Sequence, residues 1–170
     1  STGEVGPMVE GRHLLTIIYG MIFFVTKNLG INNSELVVTI STAFFASLAV
    51  VLLFFLSQEI FGKKIVSFVS AITFSLNPIF VSISTHARSY PLAILFVLLS
   101  FYLLVLGIMK KSFELQFTSA VVLGLSLFIR FSNVLMLVPH IIYFAISLPS
   151  YPYFFSKRSF LSFTKVYSGF

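Results

Sequence analysis

Two consecutive stretches of this chain, residues 65–84 and 92–109, contain no charged residue and no histidine. Each is long enough, as a helix rising 1.5 Å per residue, to cross a hydrocarbon core of about 30 Å. Between them stands Thr85-His86-Ala87-Arg88-Ser89-Tyr90-Pro91. This arrangement puts the Arg88 guanidinium between two runs that can only be membrane helices, so the residue sits at a membrane face.

The composition agrees with lipid as the solvent. Apolar residues make up 58% of the chain and charged residues 9%, and the mean hydropathy is +1.03, which excludes a soluble domain of this length. The net charge of +6 does not point to nucleic acid, because the cations lie in short loops between apolar spans and not on one amphipathic face. Cysteine is absent, which removes disulfides, thiolate nucleophiles and cysteine metal sites. Aspartate is absent too, leaving Glu4, Glu10, Glu35, Glu59 and Glu114 as the carboxylates. No histidine metal motif, glycine-rich phosphate loop or serine elbow occurs, so neither a metal nor a cofactor is expected.

The expected fold is all-α: a polytopic membrane helix bundle in a single domain over residues 1–170, with about five spanning helices and one interfacial helix. Residues 36–56, 65–84 and 92–109 are long enough to span outright, while 115–129 and 131–148 are shorter and separated only by Arg130. The last two form a tight pair or one broken element. Residues 14–25 are too short to cross and suit an interfacial helix. The tail, 149–170, is expected to be cytoplasmic or interfacial. The chain opens at Ser1 on a short polar stretch without signal-peptide character, and is expected to be a fragment lacking an upstream membrane helix.

Orientation follows from the loop charges. Lys63 and Lys64, Lys110 and Lys111, and Lys157, Arg158 and Lys165 mark cytoplasmic positions, which puts the Arg88 loop and Arg130 outside. Ser34 is expected to cap the first long span. Ser67, Ala71 and Ser75, and likewise Thr42, Ala46 and Val50 with Ala43 and Ser47 nearby, form small-residue strips for close helix contact. Asn77-Pro78 and Pro139 are expected to bend their helices, and His140 to bond a carbonyl freed by Pro139.

Arg88 and Arg130 are the candidate lipid-phosphate ligands, with Arg12, His13, His86 and Tyr90 near the same site. A guanidinium offers a planar fork to a pair of phosphate oxygens. The competing reading is an anchor that snorkels to the headgroups, and it stays open for both arginines. His13 and His86 titrate near neutrality and suit acid–base work, but neither has a carboxylate nearby in sequence. Asn32-Asn33-Ser34 matches the glycosylation sequon and equally serves as a turn and cap.

The order of these features resembles the C-type membrane glycosyltransferases, namely the dolichyl-phosphate-mannose protein mannosyltransferases and the related aminoarabinose transferases. Gly11-Arg12-His13-Leu14-Leu15, followed by a short apolar helix ending in Lys27-Asn28-Leu29-Gly30, resembles their Gly-x-Pro-Pro-Leu region. Leu56-Ser57-Gln58-Glu59-Ile60-Phe61-Gly62-Lys63-Lys64 is similar to their cytoplasmic loop. Leu76-Asn77-Pro78 with Thr85 to Tyr90 resembles their Leu-Ser-Pro and Glu-Ala-Arg-x-Tyr stretch, and Gly124-Leu125 with Ile129-Arg130-Phe131 their Gly-Leu and Thr-Arg-Tyr segment. Three departures stand out. Arg12-His13 replaces the proline pair, Thr85 or His86 replaces the glutamate, and the family's catalytic acidic pair has no counterpart here.

The resemblance implies that the complete protein moves a sugar from a polyprenyl-phosphate carrier to an extracytoplasmic acceptor of unknown identity, with inversion. It implies that this fragment, inactive alone, holds no catalytic residue but the scaffold and part of the phosphate site. The expected partners are the polyprenyl-phosphate-linked sugar and membrane lipids, with no nucleic acid. The alternative class is a non-enzymatic polytopic protein, a transporter or lipid-binding subunit, whose arginines hold headgroups.

Overall fold

The structure is a computed structural model and describes residues 13–28, 30, 33–85 and 90–147. These residues form helices α1 (His13–Asn28), α2 (Ser34–Phe61), α3 (Lys64–Ser75), α4 (Pro78–Thr85), α5 (Tyr90–Met109) and α6 (Phe113–Ile129). A 3₁₀ helix (Phe131–Met136) then runs into α7 (Leu137–Ser147). No strand occurs among them.

Two helices, Ser34–Phe61 and Tyr90–Met109, are long and apolar enough to cross a membrane. Lys64–Ser75 and Pro78–Ser84 make a third if the pair, bent by 62° at the break between them, counts as one span. The expectation of about five spans is therefore met for two or three. Phe113–Ile129 and Phe131–Ala145 are apolar but shorter. The reason lies at Arg130, whose extended backbone (φ −155°, ψ 113°) ends one helix before the 3₁₀ helix begins.

Helix α2 has 28 residues, about 42 Å at 1.5 Å each, so it overreaches a 30 Å core. Its cap is Asn33, whose side chain accepts from the Leu36 N–H at 3.2 Å. Ser34, the expected cap, is instead the first helical residue, because Asn33 already holds the extended backbone a cap requires. At the other end Gly62 takes a left-handed φ of 65° and donates to Gln58 O, a turn that lacks a Cβ penalty.

The 62° break follows from Asn77-Pro78. Asn77 Oδ1 accepts from the N–H groups of Ile79 (2.9 Å) and Phe80 (3.3 Å), capping α4. Phe74 and Phe80 face each other across the bend, ring centroids 4.2 Å apart. Pro139 behaves differently from expectation: it lies in the first turn of α7, where a missing N–H leaves no bond unmade, and the irregularity is the 3₁₀ helix before it.

Helix α5 is the centre of the bundle and packs chiefly on α6 and α2. Buried Ser67 and Ala71 of α3 and buried Thr42, Ala46 and Ala49 of α2 are consistent with close approach of small residues. Ala43 and Ser47 lie on the exposed side of α2. Helices α5 and α6 form an antiparallel hairpin. At its closed end Ser112 N–H donates to Gly107 O (2.9 Å) and Lys111 N–H to Ile108 O (3.2 Å), the Schellman pattern, with Lys111 in the left-handed position at φ 51°.

Candidate functional site

The open end of the α5–α6 hairpin brings two of the predicted residues together. Tyr90 is the first residue of α5 and Arg130 follows the last residue of α6. Buried Leu92, Ala93 and Ile129 cluster directly behind them. Leu15 and Ile18 of α1, Phe45 of α2 and Phe96 pack against that cluster. Tyr19 joins α1 to α2 through a 3.0 Å hydrogen bond with Thr42.

On this apolar base the Arg130 guanidinium lies flat, its Cζ 3.6 Å from the centroid of the Tyr90 ring. That is cation–π geometry, worth about 0.5–2 kcal/mol depending on desolvation. One edge is also held, because Arg130 Nε donates to Ser132 Oγ at 2.6 Å. The backbone around it is tied down. Arg130 N–H donates to Ser126 O at 3.0 Å, and Asn133 N–H to Arg130 O at 3.1 Å. Asn133 Nδ2 also donates to Ser126 O at 3.3 Å. Among the described residues the two Nη groups make no hydrogen bond or ion pair, so the outer edge of the fork is directed at none of them.

The guanidinium is thus fixed by its face and by one edge. The face is covered by an aromatic ring, the Nε edge is occupied by a hydroxyl, and the side chain is half-buried. A planar fork fixed in this way matches a pair of phosphate or carboxylate oxygens. Glu114 lies in the first turn of α6, at the other end of that helix from Arg130, and Glu59 near the end of α2.

The other predicted residues divide in two. His13 opens α1, two residues before Leu15 of the apolar base, although its side chain lies outside the described residues. Arg12, His86 and Arg88 lie outside them altogether. Ser132 and Asn133 were missed by sequence reasoning. The only signal available was a hydroxyl two residues after an arginine, which is common by chance. Among the described residues no group of three or more His, Asp or Glu side chains could hold a metal.

His140 also departs from its expected role. Its Nε2 lies 2.8 Å from Ser119 Oγ on α6, and Ser100 Oγ on α5 donates to Ser119 O at 2.9 Å. The imidazole thus bonds a hydroxyl of a neighbouring helix and not a carbonyl freed by Pro139.

Comparison with known proteins places the chain in context. A family model described as dolichyl-phosphate-mannose-protein mannosyltransferase matches residues 17–164. No curated protein matches, and no solved structure matches.

Proposed function

Because the chain belongs to the dolichyl-phosphate-mannose-protein mannosyltransferase family, we propose that it is the phosphate-binding part of a membrane enzyme that moves a sugar from a polyprenyl-phosphate carrier to an extracytoplasmic acceptor. The observation that carries this reading is the Arg130 guanidinium clamped between the Tyr90 ring and Ser132 Oγ. Arg88, two residues before Tyr90 in sequence, is assigned to the same phosphate.

The chemistry asks for such a group. As the sugar C1 to phosphate oxygen bond breaks and the acceptor oxygen attacks C1 from the opposite face, the phosphodiester becomes a phosphomonoester and gains one negative charge. The acceptor proton passes to a carboxylate acting as general base. A fixed cation aimed at the departing oxygens stabilises that charge without reorganising during the step. Arg130 suits the task because its rotamer freedom is already removed by Tyr90 and Ser132.

A direct test is equilibrium binding of a short-chain polyprenyl phosphate to the full-length protein in nanodiscs. Arg130→Ala should weaken binding at least tenfold, whereas the neutral polyprenol should bind both proteins equally. Equal loss for phosphate and alcohol would show that Arg130 maintains the fold and does not read the phosphate. Binding of any anionic headgroup, without transfer, would favour a lipid-binding subunit.

A further inference from the structure

The residues after Arg130 form one continuous rod, the 3₁₀ helix Phe131–Met136 leading directly into α7, with the Leu137 N–H bonded to Val134 O. Among the side chains described over residues 131–145, His140 alone is buried. Beside it lies a cavity of about 250 Å³ between α6 and α7, lined by Phe117, Ala120, Leu123, Leu137, Ile141 and Phe144 among others. Apolar side chains of the rod therefore do not close onto α6 along that side. The rod is tied to α6 by the Asn133 Nδ2 bond to Ser126 O of 3.3 Å near its start and by the His140 Nε2 to Ser119 Oγ bond of 2.8 Å further along. Phe101 of α5 meets the imidazole edge-on at 5.4 Å between centroids.

Two features make this bond more than packing. An ionisable ring in the interior of a membrane bundle is rare enough to call for a role. Its second nitrogen, Nδ1, is buried without a hydrogen-bond partner, so the ring is tied by one directional bond that sets its rotation as well as its depth. At its other end the rod carries Ser132, the group that holds the Arg130 Nε edge. Without the His140 bond the rod is free to pivot about its Asn133 tie to Ser126 O, which would shift Ser132 against the guanidinium.

We propose that His140 is a positioning residue for Arg130: through Ser119 it anchors the rod that presents Ser132 to the guanidinium. The catalytic consequence rests on the reading of Arg130 as a phosphate ligand, while the structural consequence does not.

The test uses the full-length protein, 15N-labelled at arginine and reconstituted in lipid, with the Arg130 Nε–H resonance assigned by its loss in Arg130→Lys. His140→Phe keeps the ring and removes the bond, Ser119→Ala removes it from the other side, and His140→Gln restores a nitrogen near the place of Nε2. The resonance should shift in His140→Phe and Ser119→Ala, and return in His140→Gln. In parallel, kcat/KM for the polyprenyl-phosphate sugar should fall about three- to fifteen-fold in the first two, the range of a membrane interhelical hydrogen bond, with kcat falling because the charge that Arg130 meets develops as the bond breaks. The double variant should be no worse than either single one. If His140→Phe fails to fold, Ser119→Ala alone decides. An Arg130 resonance unmoved by loss of the bond overturns the proposal whatever kcat/KM does. A resonance that moves while kcat/KM stays put supports the positioning and contradicts the phosphate reading.

Discussion

Replacing Gly107 with alanine probes the closed end of the hairpin whose open end carries Tyr90 and Arg130. A Cβ built at Gly107 lies 2.8 Å from Gln116 Cγ, 3.0 Å from the Gln116 backbone nitrogen and 3.2 Å from Leu115 Cβ. Carbon atoms settle at about 3.5–4.0 Å, so α6 must retreat by roughly 1 Å. A backbone nitrogen cannot step aside as a side-chain tip can. Overpacking of this kind costs about 1–3 kcal/mol, partly offset by the 0.5–1 kcal/mol that alanine gains over glycine inside a helix. Gly124, in α6 with nothing within 4 Å of its Cβ position, receives the same gain without the clash. The difference between Gly107→Ala and Gly124→Ala therefore isolates the close approach, and should be about 1–3 kcal/mol. Unfolding in mixed micelles with increasing SDS, followed by far-UV circular dichroism, measures it. Equal stability of the two variants would mean that α5 and α6 do not meet at Gly107, and the hairpin register that aligns Tyr90 with Arg130 would fall with it.

Three further outcomes are expected. Lys111→Gly should stabilise the chain by about 1 kcal/mol in the same titration, because a left-handed φ of 51° strains an L side chain; a loss of stability would exclude that turn. Tyr90→Phe should leave phosphate binding within twofold, whereas Tyr90→Leu should weaken it by about 0.5–2 kcal/mol, measured with the same polyprenyl phosphate; equal effects would remove the stacking from the account. Single cysteines at Ser89 and Ser112 in intact cells should label oppositely with an impermeant thiol reagent, only Ser89 reacting from outside. Equal labelling would refute the orientation on which an extracytoplasmic site depends.

Much of the fold was legible because helix limits in lipid are written in length and charge. Residues 92–109 are uninterrupted, and α5 starts at Tyr90 and ends at Met109. Asn77-Pro78 combines a short polar cap with a residue lacking an N–H, and the chain bends there by 62°. What escaped was whatever depends on contacts distant in sequence. The stacking of Arg130 on Tyr90 spans the whole α5–α6 hairpin, and no local pattern announces it. Ser119 and His140 look unremarkable apart, since serines are common in membrane helices and Pro139 offered a nearer partner for the histidine. The choice between Asn33 and Ser34 as cap turned on one backbone torsion. The short α6 and the rod after Arg130 have the hydropathy of spans but are shorter than a full crossing, so two or three of the five expected spans are met.

The most direct measurement of the account is single-turnover sugar transfer by the full-length protein from a polyprenyl-phosphate sugar, comparing Arg130→Lys and Arg130→Ala in correctly inserted samples. Lysine keeps the charge but loses the fork that Ser132 and Tyr90 hold in place, so Arg130→Lys should already lose about 1 kcal/mol or more and Arg130→Ala up to a few kcal/mol. A membrane anchor needs only a long cationic side chain. Full transfer by Arg130→Ala, or free exchange of arginine for lysine, would contradict the assignment of Arg130 to the phosphate.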